Sequence, residues 1–450
     1  MLQAVLRAIQ LPDLRRRILF TLGMLLIFRL IAHIPVPNIN PASLDQLRQA
    51  LQENQLTQLL NIFAGGALQN FSVAAMGVYP YITASIIMQL LQPLIPALQE
   101  LNKEGEQGRI RLNRYQMWLT IPLAYLQAYG QTLTLERNVN PSGELAASLF
   151  RSPFDIVANF FPTFTVLTSM VAGTLLLVWL GEQINERGIG QGISVIIFGG
   201  IVSGLPNLIV QGFQISQTGG VETILGILGF LAIGLLTVVG IVLIQEGQRR
   251  IPVQYAKRVR GNKVYGGQSS YVPLKVNMAG MIPLIFAQSI IIFPGIVASW
   301  FYIPGAEGFV NSVAGFFYNT FNPTGQSGGV VYMVLLFLLT VGFSFFYTVV
   351  LFNQQDIPDN LQRNGGFIPG IRPGKRTEEY LGRVLNRITL AGALFLGTVA
   401  ILPFLTQSIT GIQIGLGSTA LLIVVGVAVD TMRQLEAQLV MRDYEGFLNR

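Results

Sequence analysis

Nine stretches of about twenty predominantly apolar residues recur along the chain, at roughly 18–35, 114–133, 162–180, 190–210, 223–244, 276–300, 330–352, 388–406 and 412–431. That length matches the hydrocarbon core of a bilayer, where a backbone must satisfy its own polar groups and so becomes a helix. A tenth region, roughly 57–95, is about twice as long but not uniformly apolar: Gly65-Gly66 break it, and Gln58, Asn61, Gln69 and Asn70 interrupt its first half. It reads as a half-helix followed by a full span from Met76 to Ile95, giving about ten spans. Only 11% of the residues are charged, against about 25% in a soluble domain, so an ordinary soluble enzyme is excluded. With no cysteine and one histidine, His33, the chain has neither disulfides nor thiolate or multi-histidine metal sites.

Basic residues set the orientation. If residues 1–17 face the cytoplasm and ten spans follow, 25 of the 29 Lys and Arg fall on the cytoplasmic side. Arg48, Arg137 and Arg151 fall outside, and Arg29 lies within the first span. Both termini are therefore expected inside, and the net charge of +7 follows from this bias. The Arg15-Arg16-Arg17 run before the first apolar stretch resembles a signal peptide, but the stretch is too long and no small-x-small cleavage site follows, so it reads as a retained span. Arg29 is expected to play a structural part by snorkelling or bonding backbone carbonyls, and His33 to lie at the interface.

Two cytoplasmic loops are long, basic and rich in glycine: 245–275 and 353–387. The outer segments 36–56, 134–161 and 301–329 are polar, with Pro and Gly and no strong strand pattern. Catalytic constellations are missing. Gly370-Ile-Arg-Pro-Gly-Lys-Arg376 has the wrong glycine spacing for a phosphate loop and lacks the Ser/Thr after Lys. Gly188-Ile-Gly-Gln-Gly192 reads as a flexible joint between spans. Glu182, Glu186, Glu246 and Asp430 all sit near span ends, so the paired intramembrane carboxylates of an ion-coupled pump or aspartyl protease are absent. Polarity inside the spans comes from neutral groups such as Thr83, Ser85, Gln89, Gln127, Asn277, Gln288, Ser289 and Ser344, which suit interhelical hydrogen bonds or a seam that parts. A small-solute transporter would need coordinating groups and an ionisable pair at the midplane. An intramembrane protease would need a Ser/His or Asp pair.

Several local motifs then stand out. They are Asn61-Ile-Phe-Ala-Gly-Gly-Ala67, Ala75-Met-Gly-Val-Tyr-Pro-Tyr-Ile-Thr-Ala-Ser-Ile86 and Lys103-Glu-Gly-Glu-Gln-Gly-Arg109. Further on come Trp179-Leu-Gly-Glu-Gln-Ile-Asn-Glu-Arg-Gly-Ile-Gly-Gln-Gly-Ile-Ser194, Gln248-Arg-Arg-Ile-Pro-Val-Gln-Tyr-Ala-Lys-Arg258, Pro273-Leu-Lys-Val-Asn-Met-Ala-Gly-Met-Ile-Pro283 and Gly365-Gly-Phe-Ile-Pro-Gly-Ile-Arg-Pro-Gly374. From about Arg15 to Tyr444, and in order, they closely resemble the SecY family, the central subunits of the Sec protein translocon.

The resemblance implies an all-α polytopic membrane protein: ten transmembrane helices in two inverted five-helix halves, 1–210 and 211–450, closing like a clamshell around an hourglass pore. It implies a protein-conducting channel and not an enzyme, with no cofactor. The matching positions give an apolar pore ring of Val78, Ile82, Ile193, Ile197, Ile285 and Ile423. They give a plug half-helix at about 59–72 that includes Asn61, Phe63, Gly65, Gly66 and Ala67. Thr83, Gln89, Gln288 and Phe293 match a lateral gate between the second and third spans and the seventh and eighth. Neutral hydrogen bonds of about 0.6 kcal/mol each would let such a gate open easily. An aliphatic constriction blocks ions by dewetting yet reseals around any polypeptide.

The two basic loops would then dock partners: Arg249, Arg250, Lys257, Arg258 and Lys263 in the first, Arg372 in the second. Family partners are a SecA-like motor ATPase, the ribosome through its RNA, small SecE-like and SecG-like membrane subunits, signal peptides and nascent chains, and the lipid bilayer. Asn262 replaces a basic residue common in relatives, which weakens one contact of the first loop. The tail Met441-Arg-Asp-Tyr-Glu-Gly-Phe447 is typical of bacterial and plastid relatives. The expected location is the bacterial plasma (inner) membrane, with the thylakoid membrane as the plastid counterpart.

Overall fold

The computed structural model describes residues 10–53, 61, 64–139, 149–151, 154, 159–218, 221–255, 258–260, 263–265, 269–302, 308–321, 328–355, 357–410 and 418–448. In chain order the helices are α1 (Pro12–Ile31), α2 (Leu44–Glu53), α3 (Tyr79–Leu91), α4 (Pro96–Lys103), α5 (Glu106–Val139), α6 (Phe160–Arg187), α7 (Gly192–Thr218), α8 (Val221–Glu246), α9 (Ile282–Phe301), α10 (Phe309–Phe321), α11 (Gly328–Gln355), α12 (Ile357–Arg363), α13 (Lys375–Thr410) and α14 (Ser418–Leu448). Ten of them, α1, α3, α5 to α9, α11, α13 and α14, coincide with the ten apolar regions of the sequence. Of these, α6, α8, α11 and α13 carry apolar stretches long enough to cross a bilayer, and α3, α7 and α9 carry shorter ones.

Local chemistry marks the helix ends. Proline stands in the first turn of α1, α3, α4 and α9, where its missing N–H leaves nothing unpaired. Asp13 opens α1 and Arg29 closes it, each matched in sign to its end of the helix dipole. Pro122, Pro206, Pro294 and Pro403 lie inside α5, α7, α9 and α13, where each removes a backbone bond. The sequence division at 210/211 falls inside α7, which runs on to Thr218.

The first basic loop is not irregular. Strands β1 (Gln248–Tyr255) and β4 (Ser269–Lys275) pair antiparallel, and β5 (Gly366–Phe367) from the second loop joins the other edge of β1 at Gln254 and Tyr255. A small ribbon, β2 (Arg258–Arg260) with β3 (Lys263–Tyr265), extends the hairpin. Ile251 and Val253 alternate with exposed neighbours, the period-two pattern of a strand with one covered face. With Leu274 they pack on Phe352, Leu361, Ile368, Leu381 and Leu385. The two loops thus share a small apolar core of their own, at the ends of α11 and α13. The outer segment 301–329 also departs from expectation, since it carries α10.

Candidate functional site

A cavity of about 490 Å³ opens among the sheet-proximal ends of α3, α7 and α9 and the middle of α14. Its wall begins with Ile82, Ile193, Ile197 and Ile285. Ser85 and Gln89 follow Ile82 at one and two turns along α3, and Asp430 and Arg433 lie two to three turns beyond Ile423 on α14. Helix register therefore grades the wall from apolar to polar toward the sheet. Of the six expected ring residues, four line this cavity. Val78 and Ile423 do not, and both are almost fully buried. Val78 is the N-cap of α3, and its carbonyl accepts from the Ile82 N–H at 3.1 Å.

The expected plug segment lies in the same apolar cluster: Ala64, Ala67, Leu68 and Phe71 join Val78, Ile82, Ile197, Ile285 and Ile423. Of its first turns, residues 59, 60, 62 and 63 lie outside the described residues, and Asn61 is helical. Within the described residues Gly65 (φ +65°) and Gly66 (φ +79°) make a left-handed turn into a 3-10 helix, Ala67–Asn70, which ends at Phe71 (φ +40°). Positive φ at two successive residues favours glycine. Phe63 lies outside the described residues. The Gly66 N–H donates to the Asn61 carbonyl at 2.8 Å, and the Arg48 guanidinium donates to Asn70 Oδ1 at 3.3 Å. Val36 and Val73 complete backbone bonds with Phe71 and Ile34, tying the segment to the end of α1. Ala64 and Ala67 are 1% and 0% exposed. Gln69 is the exposed member. Arg29 reaches toward this turn, its Nη1 being the atom nearest a Cβ placed on Gly66. Exposed His33 has Nδ1 2.8 Å from the Arg29 carbonyl.

The expected gate residues do not bond to one another. The Thr83 hydroxyl donates to the Tyr79 carbonyl at 3.0 Å and accepts from Gln127 Nε2 of α5 at 3.3 Å. Gln89 donates to Ser85 on its own helix. Gln288 of α9 is buried with its Oε1 unpartnered, and Phe293 is exposed. The facing surfaces of α3, α5 and α9 meet, and no hydrogen bond among these four residues holds them.

Opposite behaviour appears at residues 188–192. Three side chains take its backbone N–H groups: Thr21 Oγ1 accepts from Ile189 at 3.0 Å, Gln434 Oε1 from Gly190 at 3.0 Å, and Asn185 Oδ1 from Gly192 at 2.7 Å. Ile189 also packs with Leu14 and Leu435. The expected flexible joint is a fastened one, because satisfied N–H groups and a packed side chain remove its freedom.

At the cavity mouth, Arg433 binds Glu246 at 3.0 Å and donates to the Gln245 carbonyl at 2.7 Å. Burial, with the Arg433 charge, holds the Lys275 ammonium below the usual lysine range, against the pull of Asp430 and Glu246. The cavity wall at Asn185, Gln191, Gln245 and Lys275 was not singled out from sequence. Its only signal there was polarity at the ends of apolar runs.

On the sheet, Arg249 and Arg250 are exposed on β1, and the Arg250 guanidinium lies 4.9 Å from the Tyr271 ring centroid. Arg258 and Lys263 fall on the β2–β3 ribbon. Lys257 and Asn262 lie outside the described residues. Arg372 is exposed at a tip bounded by Gly370 (φ +81°) and Gly374 (φ +98°), and its carbonyl accepts from Thr377 Oγ1 at 3.1 Å. The tip is thus shaped by its backbone, with the guanidinium pointing outward.

The comparisons with known proteins agree. The SecY family model matches residues 72–432. The protein translocase subunit SecY of Thermotoga maritima is 42% identical over 458 residues, covering 100% of this chain and 98% of its own length. That of Halalkalibacterium halodurans is 43% identical over 459 residues, covering 100% of both. A solved protein-conducting channel superposes with a TM-score of 0.64 over 95% of this chain and 93% of its own, at 19% identity. Sec61 from a canine ribosome-channel complex gives 0.60 over 95% and 93%, at 18% identity. The fold is accordingly a multi-pass, ten-span clamshell of two inverted halves around an hourglass pore, with the β-sheet added at one end. Matched by the family model from Ser72 to Met432 and by relatives along its whole length, the chain belongs to the SecY family.

Proposed function

We propose that this channel subunit conducts unfolded polypeptides through the waist formed by Val78, Ile82, Ile193, Ile197, Ile285 and Ile423. The observation that carries the reading is that the ring positions and the plug segment share one apolar cluster, while four of the ring residues line a cavity whose other wall is polar. An extended chain would enter past Lys275 and Arg433, part the isoleucines and displace the turn at Gly65, Gly66 and Ala67. Branched aliphatic side chains exclude ions without a fixed charge, and they yield to any client sequence.

Hydrophobic client segments would leave sideways between α3/α5 and α9/α11, past Thr83, Gln89, Gln288 and Phe293. A seam without cross-bonds at these residues supports that route. The sheet and the Arg372 tip would serve as the docking face. Arg249, Arg250, Lys257, Arg258 and Lys263 offer charge to a polyanion such as ribosomal RNA or to a SecA-like motor, with the salt dependence of counterion release. The solved relative in the ribosome-channel complex supports a ribosome as partner, and small SecE-like and SecG-like membrane subunits would complete the assembly. Bacterial relatives support the plasma membrane as the location, with the sheet and both termini in the cytoplasm.

The test is reconstitution of the purified complex into vesicles, with a client bearing a signal sequence and either a motor ATPase with ATP or translating ribosomes. Protease-protected client inside the vesicles is expected. Absence of protected client with both energy sources, alongside uptake of a small solute, would replace this reading with that of a transporter.

A further inference from the structure

Helix α10 carries a surface the channel reading does not use. Its thirteen residues, Phe-Val-Asn-Ser-Val-Ala-Gly-Phe-Phe-Tyr-Asn-Thr-Phe, contain no charge. At about 100° per residue, Phe316, Phe309, Val313, Phe317 and Val310 fall within an arc of roughly 120° that also holds one polar residue, half-buried Thr320. All five are exposed, Phe309 at 83% and Phe316 at 65%. The opposite face is protein-bound. Ala314 and Gly315 are buried, Tyr318 stacks on Tyr302 at 5.1 Å, and a Cβ on Gly315 would meet the Tyr302 ring at 3.0 Å. Ser312 and Asn319, exposed and polar, project together between these faces.

The helix therefore has three sides: one on the protein, one apolar, one polar. It lies in sequence between spanning helices α9 and α11 and packs along both, so it is held near the surface where those spans emerge. At their adjoining ends the spans expose Phe301 and Val330, Val331 and Val334. The phenylalanine arc thus continues a surface that already faces lipid. A partner protein of ordinary interface chemistry would meet a polar rim or charge around the apolar centre, and α10 offers no charged group at all.

We propose that α10 lies in the bilayer interface at the end of the bundle away from the sheet, with Phe309, Phe316 and Phe317 inserted at the boundary of headgroups and acyl chains. Because Gly315 and Tyr318 clamp it to Tyr302 at the end of α9, it acts as a lipid float fixed to that helix. Lacking Lys and Arg, it binds through apolar area, so its insertion is independent of anionic lipid.

The test uses the purified complex in vesicles, with Trp118, Trp179 and Trp300 each replaced by Phe and one reporter added, Phe316→Trp or Asn319→Trp. Lipids brominated near the headgroup are expected to quench Phe316→Trp at least twofold, and more than lipids brominated near the chain terminus. Aqueous iodide should quench Asn319→Trp several-fold more than Phe316→Trp. The result should not change between neutral vesicles and vesicles containing anionic lipid. Strong iodide quenching of Phe316→Trp would place the arc in water. Protection from both iodide and bromine would place it under a protein, whether a small subunit or a second copy. Either result overturns the proposal.

Discussion

Gly65 and Gly200 meet backbone to backbone: a Cβ on Gly200 would lie 2.2 Å from the Gly65 Cα. A Cβ on Gly65 would in turn strike Phe28 at 2.6 Å. The turn at Gly65 and Gly66 is seated in a notch on α7 that only two glycines can form. Overpacking such a contact costs about 1–3 kcal/mol, so Gly200→Ala should shift the turn out of its seat by roughly five- to a hundredfold. Increased ion conductance of the resting channel in a planar bilayer is the readout. Gly204→Ala, where a Cβ meets nothing within 4 Å, is the matched control and should be silent. Equal conductance in the two variants would mean that the notch does not seat the plug.

Burial makes the same segment a reporter of opening. The chain has no cysteine of its own. Gln69→Cys, at an exposed position, should react with a water-soluble maleimide in the resting state, and Ala67→Cys, at a position with no exposure, should not. A lodged client should raise the Ala67→Cys labelling rate at least tenfold. An unchanged rate would show that the segment stays in place during transport.

Polar substitution at the waist should wet it. Ile285→Asn or Ile423→Asn places an amide in a buried apolar cluster, at a cost of about 1–3 kcal/mol unless water enters with it. Greater ion leak and acceptance of clients with weakened signal sequences are expected. Ile388→Asn, on the margin of the separate cluster under the sheet, should leave conductance unchanged.

The Arg372 tip separates docking from topology. Its glycines with positive φ and the Thr377 bond shape the backbone before any partner arrives. Arg372→Glu should abolish translocation while insertion and complex assembly remain normal. Arg372→Lys should retain partial activity, because it keeps the charge and loses the planar fork. Normal transport by Arg372→Glu would reduce the loop to a topology signal.

The spans and the basic asymmetry were legible because apolar length and charge are read one residue at a time. The ring was legible only through motif resemblance: nothing local distinguishes Ile423 from Val424 or Val425 beside it. The sheet was missed because Ile251 and Val253 are only two alternations inside a charged stretch, and their partners on α11 and α13 are about a hundred residues away. Helix α10 was hidden because small Ala314 and Gly315 face the protein while the large rings face outward, so size and burial run opposite to a soluble helix. Thr83, Gln89 and Gln288 were visible as polar groups, but their partners are tertiary facts. Bonding within one half could not be told in advance from bonding across the seam.

The fastening of residues 188–192 gives the molecule a mechanical grain. On that side, Gln434 of α14 holds the backbone of Gly190, and Leu14, Ile189 and Leu435 close over it, so the two halves are joined by a directional bond and a packed contact. On the side of α3 and α9, Thr83 and Gln89 bond within their own half, and Gln288 Oε1 has no partner. Pulling the first side apart breaks a hydrogen bond of fixed geometry, whereas pulling the second mostly slides apolar surfaces past one another. Stiffness is therefore anisotropic: like a book, the bundle has a spine and a fore-edge, and an object wedged into its centre widens it toward the fore-edge.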